Sequence, residues 1–201
     1  MGGKLSHTWG TMFYEHWLSW TILFIIILLL FYTLIVVAEE KDTFIENAQW
    51  KKFHQFKFPT PSWWTLVEES PLKLVWERTD TRYDWKCCLQ KEESLTNKSI
   101  EEDFKDRIEE LGMIFDLESS DILMPEDFKD SKDVIAGNLE IVRIEGTATQ
   151  HGIERCYLDA FLVRDLKNRE TLFATSHSSV LNGLVEGPYF EYMMLNLSYE
   201  G

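Results

Sequence analysis

The sequence predicts an α+β protein: a single N-terminal transmembrane helix followed by a domain in which an antiparallel sheet packs against one main helix. Three observations carry this expectation. Residues 17–38 form an uncharged apolar run, and residues 100–115 repeat apolar side chains at helical spacing. The stretches on either side of that repeat alternate with period two between turn-rich breaks.

The apolar run opens at Trp17 and closes at Ala38 without a charge, proline or glycine. At about 1.5 Å per residue it extends roughly 33 Å, against a hydrocarbon core of about 30 Å. Tyr14, Trp17 and Trp20 crowd one end, where aromatic rings favour the headgroup region. Glu39, Glu40, Lys41 and Asp42 close the other end. The run is longer than the apolar core of a cleaved signal and lacks its basic leader. The lipid bilayer is therefore the expected partner of residues 17–38.

The tail, residues 1–16, begins Met1-Gly2-Gly3-Lys4-Leu5-Ser6, which matches the pattern for N-myristoylation at Gly2. Lipidation there would put the tail in the cytosol and the domain on the far side. The basic residues point the other way, since Lys4 stands alone before the span whereas Lys41, Lys51, Lys52 and Lys57 follow it. Two glycosylation sequons, at Asn97 and Asn196, are usable only on a luminal or external domain. The orientation cues conflict.

Charge narrows the partner classes. Of 20 basic and 34 acidic residues, only Lys4 and Glu15 precede position 38, so the rest of the chain carries the full −14. Phosphate backbones repel such a domain, and nucleic acid is not an expected partner. Other proteins of a membrane complex are.

Residues 39–60 read as a juxtamembrane helical stalk. Thr43-Phe44-Ile45-Glu46 fits a capping box, with a helix expected from about Thr43 to Gln55 and ended by Pro59 and Pro61. The acidic α+β domain then occupies residues 61–201. Strands are expected at 63–67, 72–77 and 85–89, the second alternating Leu72, Leu74 and Trp76 with charged or β-branched neighbours. A second capping box, Ser99-Ile100-Glu101-Glu102, starts the main helix, whose stripe is Ile100, Phe104, Ile108, Leu111 and Phe115. Residues 116–133 read as an irregular connector around Pro125. Strands follow at 139–144, 153–164 and 170–176, with a turn at 146–152 and a tight return over 165–168. The last is expected at 189–199, where Met193, Leu195, Leu197 and Tyr199 alternate with polar residues.

Chemistry-bearing patterns are sparse. No nucleophile elbow, phosphate-binding glycine loop or paired metal-binding histidines occur, so no catalytic residue, cofactor or metal is assigned. His177, between Ser176 and Ser178, is the one candidate for a base beside a hydroxyl. Cys87, Cys88 and Cys156 lack metal-ligand spacing, and Cys156 sits with Leu158, Ala160 and Leu162 on an apolar strand face. The sequence thus predicts a non-enzymatic, membrane-anchored accessory subunit or adaptor. The rival reading is a tethered lipid- or small-molecule-binding domain, with its ligand between helix 100–115 and a curved sheet.

Overall fold

A computed structural model describes residues 17–78, 84–92, 97–128 and 139–199. Gly2 lies outside them. The chain divides into two compact units, Met1–Asn47 and Ala48–Gly201.

Within the first unit, helix α1 spans Trp17–Asn47. It runs through Thr43 instead of restarting there, because nothing between Ala38 and Asn47 breaks a helix. Thr43 is thus an interior residue, and its carbonyl accepts a 2.8 Å bond from Asn47 Nδ2. The remainder of the expected stalk is a hairpin of the second unit, β1 (Gln49–Phe53) and β2 (Phe56–Thr60), turning at His54 with φ of 56°. Phe53 and Phe56, three apart, imitate helical spacing, yet Phe56 and Phe58 alternate as a strand does. All three are buried.

The second unit is built on a seven-stranded antiparallel sheet in the order β3-β4-β5-β9-β8-β7-β6. Its strands are β3 (Thr65–Glu69), β4 (Lys73–Glu77), β5 (Trp85–Glu92), β6 (Met113–Leu123), β7 (Leu139–Gln150), β8 (Glu154–Asp165) and β9 (Glu170–Ser178). Helix α2 (Ile100–Glu110) covers one face and α3 (Val180–Leu195) the other. A short β10 (Ser198–Tyr199) joins β2, making a three-stranded sheet with β1. The expected α+β class with a helix on an antiparallel sheet is therefore what the chain forms.

Three further expectations change. The strand expected at 189–199 is mostly α3. Its buried positions are Gly183, Glu186, Gly187, Phe190, Met193 and Met194, a helical stripe. Gly183 and Gly187 read as chain breaks in sequence, but they admit the Tyr157 ring. A Cβ on Gly183 would lie 2.4 Å from Tyr157 Cβ, against 3.5 Å from the ring for Gly187.

Secondly, the edge strand β6, Met113–Leu123, takes in the end of the expected helix stripe and the first part of the connector expected at 116–133, and a 3-10 turn follows at Pro125–Phe128. Phe115 consequently belongs to β6 and not to the helix stripe. Thirdly, β7 continues through Gly146 to Gln150, which shrinks the turn to 151–153. Gly146 holds φ of 149°, and a Cβ there would meet the Ser119 carbonyl at 2.6 Å.

The tight return at Asp165 is as expected: its Oδ1 accepts from the backbone N–H groups of Lys167 and Asn168 at 2.9 and 3.0 Å. Cys156 is a buried free thiol beside Met113 and packs with Leu158, Ala160 and Leu162.

Candidate functional site: an apolar cavity under α2

Helix α2 begins at Ser99, whose hydroxyl accepts from the Glu102 N–H at 3.2 Å while Glu102 reaches back to the Ser99 N–H at 3.3 Å. Ile100, Phe104 and Ile108 face the sheet. The helix is pinned by two arginines. Arg107 donates two 2.7 Å bonds to the Glu92 carboxylate and one to Asp103, and its guanidinium lies over the Phe173 ring. Hydrogen bonding to Glu92 raises the Arg107 pKa despite burial. Arg164, from β8, donates to Asp103 at 3.0 Å and to the carbonyls of Lys98 and Ser99.

These clamps fix the height of α2 above the sheet, and beside them a cavity of about 500 Å³ remains open. Phe104 and Ile108 form its roof, and Val142 and Ile144 of β7 its floor. Met113, Phe115 and Ile122 of β6 supply the far wall, with Met124 just beyond. The same strand is bulged next to this wall: Phe115 pairs with Ala148 but Ser120 already pairs with Gly146. Asp116 organises that bulge, accepting from the Ser120 hydroxyl at 2.7 Å and from the Glu118 N–H at 3.2 Å. Ile122 and Met124 are 47% and 40% exposed and mark the mouth. Among the described residues, the charged side chains on the lining are Glu101, Lys105 and Glu109, all on α2. Such a surface is suited to an apolar group, with its charges along one helix edge.

The opposite face carries two buried polar clusters. Arg143 donates to both oxygens of Asp159, at 3.0 and 2.9 Å, and also bonds Glu191 and Glu145. Burial pushes the Asp159 carboxyl up to about 7 against the pull of Arg143, because Glu145 and Glu191 share the same cation. Burial, followed by Glu145, pushes up the Tyr157 hydroxyl. In the second cluster Glu186, fully buried on α3, accepts from the indole N–H groups of Trp64 and Trp63 at 2.9 and 3.4 Å and pairs with Arg78.

The sequence-predicted residues are not brought together. Asn97 is exposed just before Ser99. Asn196, exposed at the end of α3, donates from Nδ2 to the Tyr192 carbonyl at 2.9 Å. His177 lies on β9 opposite Leu158, whereas Ser176 lies opposite Asp159 on the other face and accepts from Trp85 Nε1 at 2.9 Å. Neighbours in a strand point apart, so His177 cannot act on the Ser176 hydroxyl. Burial lowers the His177 pKa. The cavity was legible only as a location, from the apolar stripe of residues 100–108. Its far wall comes from β6, a strand that the sequence around residues 116–120 did not announce.

No protein-family model matches the chain, and neither does any curated protein sequence. Among solved structures it is similar to the Ran-binding protein Mog1p of Saccharomyces cerevisiae, at 9% identity over 76% of this chain and 95% of that one, with a TM-score of 0.49. It is likewise similar to cyanobacterial PsbP (CyanoP) from Synechocystis, at 10% identity over 75% of this chain and 91% of that one, with a TM-score of 0.51. At such identities the likeness to the cyanobacterial protein is one of fold.

Proposed function

We propose that the chain is a non-catalytic, single-pass membrane-anchored binding protein, whose acidic domain serves as an accessory subunit or adaptor in a larger membrane complex. The observation that carries this reading is α1. Its most apolar stretch is long enough to cross a bilayer and none of it is buried against protein. Both threonines within the apolar run return their hydroxyls to the helix, Thr21 to the Trp17 carbonyl and Thr33 to the Leu29 carbonyl, each at 2.8 Å. That pairing removes the cost of placing a hydroxyl among lipid tails.

A protein partner is favoured by α3. Leu181, Leu184 and Val185, at helical spacing, are 77%, 63% and 47% exposed on a helix whose other side is core. The test is fractionation and co-purification of the full chain. It is expected to pellet with membranes through a carbonate wash and to bring a membrane-protein partner through a mild detergent. Leu184→Glu is expected to reduce recovery of that partner and leave pelleting unchanged. A chain found in the supernatant without detergent, or recovered only alone in every detergent, overturns the reading.

The cavity under α2 favours a second reading, a tethered domain that binds a lipid or small apolar molecule. Its volume falls in the range of about 300–1,000 Å³ common to such sites.

A further inference from the structure

We infer that the cavity between α2 and β6–β7 binds a single-chain lipid bearing an ammonium headgroup; this deepens the second reading above and rests on it.

Four features of the site support this. The helix over the cavity is fixed in place, because the Arg107–Glu92 and Arg164–Asp103 bonds tie α2 to β5 and β8. The cavity walls are apolar, and a water there would lack the two to four polar partners that buried water needs. At about 500 Å³ the space is of the size that takes a small apolar ligand or an alkyl chain. Met113 and Met124, with flexible thioethers, let the wall adjust to chain length.

The rim selects the head. Glu101, Lys105 and Glu109 are spaced four apart along α2, so they line one edge of the helix. Lys105 Nζ is 3.8 Å from Glu109, leaving a net negative rim on a chain of net charge −14. A fatty-acid carboxylate meets a net negative edge there, whereas an ammonium is attracted to it, Glu101 being the carboxylate not engaged by Lys105. A choline- or ethanolamine-bearing lysophospholipid would also set its phosphate near Lys105, and a long-chain amine would use the carboxylates alone.

The test places the full chain in phosphatidylcholine vesicles with one of three photoactivatable probes, each carrying a diazirine in a chain of equal length. The probes are a lysophosphatidylcholine, a long-chain amine and a fatty acid. After irradiation, mass spectrometry locates the label. The expected result is label on peptides covering 101–124 and 142–144 from either ammonium probe, about tenfold above the fatty acid. The stronger of the two ammonium probes identifies the headgroup source. Ile122→Trp or Met124→Trp, each at the open mouth, is expected to remove the cavity label and spare the label on α1.

Equal labelling of the cavity by the fatty acid overturns the headgroup inference and leaves the apolar-ligand reading standing. Label confined to α1 overturns both, as does cavity label that persists in both tryptophan variants. The probe comparison needs no variant, so it decides the headgroup even where both variants fail to fold.

Discussion

Arg143 on β7 and Asp159 on β8 form a two-pronged ion pair, Nε to Oδ1 at 3.0 Å and the guanidinium NH2 to Oδ2 at 2.9 Å, with residue exposures of 3% and 0%. The guanidinium also lies 5.0 Å from the Phe161 ring centre, so the pair sits beneath α3 inside the larger core cluster. One buried cation is surrounded by three carboxylates, those of Asp159, Glu145 and Glu191. The cluster is therefore short of positive charge, and this makes stability depend on pH.

Asp159 titrates at about 7 in the fold against an ordinary value of 3.8, so between these limits the folded chain retains a proton that the unfolded chain has released. Its contribution to stability is complete below the unfolded value and is lost as pH rises through the folded one. The slope from this group reaches about 1.4 kcal/mol per pH unit. The melting temperature of the full chain in mild detergent, followed by tryptophan emission, is expected to fall between pH 5 and pH 7.5. Asp159→Asn cannot ionise and is expected to flatten that dependence. Parallel profiles for the two proteins would count against the assignment.

Glu186 is the acceptor that joins α3 to the β3 side of the sheet through Trp63, Trp64 and Arg78. Removing a fully buried carboxylate takes the counter-charge from the guanidinium and an acceptor from two indoles. Glu186→Ala is expected to cost about 3–5 kcal/mol in urea unfolding, and Glu186→Gln, which keeps an acceptor, about 1–2 kcal/mol. Trp64 is 6% exposed and packs 4.3 Å from Trp85, so loosening is expected to shift the emission to the red. Equal costs for the two variants would show that the charge of Glu186 is immaterial.

Gly183 and Gly187 lie on the same face of α3 against the same ring but differ in clearance. Gly183→Ala places a methyl 2.3 Å from Tyr157 Cγ and is expected to cost about 1–3 kcal/mol through overpacking. Gly187→Ala meets the ring at 3.5 Å, an ordinary contact, and gains up to about 1 kcal/mol of helix propensity. The two changes therefore differ in sign. Pairing Gly183→Ala with Tyr157→Gly is expected to be strongly non-additive, because the second change removes both the ring and the Cβ that the new methyl would meet. Additive losses would mean that the collision is relieved elsewhere.

How far the sequence could be read follows from which signals are local. The apolar stripe Ile100, Phe104 and Ile108, and the alternation of Cys156, Leu158, Ala160 and Leu162, each report one buried face, and each held. Phe53 and Phe56 satisfy both a helical interval and a two-residue hairpin, so local spacing could not decide between them. In α3 the alternating Met193, Leu195 and Leu197 outvoted the true stripe, whose inner positions include two glycines and a glutamate that look unlike core. Arg143 and Asp159 are sixteen positions apart and meet only through the register that sets Arg143 opposite Phe161 and Glu145 opposite Asp159. The far wall of the cavity is β6, whose pairing with β7 passes through a bulge opposite Gly146, where the informative property is a backbone angle. Ion-pair partners and voids are properties of the assembled sheet.

Ser99 belongs to two overlapping signals, and separating them bears on topology. Its hydroxyl completes the Asn97-Lys98-Ser99 sequon and also caps α2, accepting from the Glu102 N–H. Ser99→Ala is expected to cost about 1 kcal/mol from the lost cap. Asn97→Gln leaves the cap in place, and Asn97 is exposed, so it is expected to leave the urea midpoint within experimental error. On expression of the full chain in eukaryotic cells, a glycan at Asn97 would place the domain in the lumen or outside, and both variants would then lose the same mobility shift while differing in stability. A shift that survives Asn97→Gln and disappears with Asn196→Gln assigns the glycan to the end of α3, where attachment must displace the bond from Asn196 Nδ2 to the Tyr192 carbonyl. A wild-type chain whose mobility is insensitive to deglycosylation shows that neither sequon is used, and protease added to sealed membranes then reads the side: the cytosolic orientation that Lys41, Lys51, Lys52 and Lys57 favour predicts a domain cleaved from the cytosolic face.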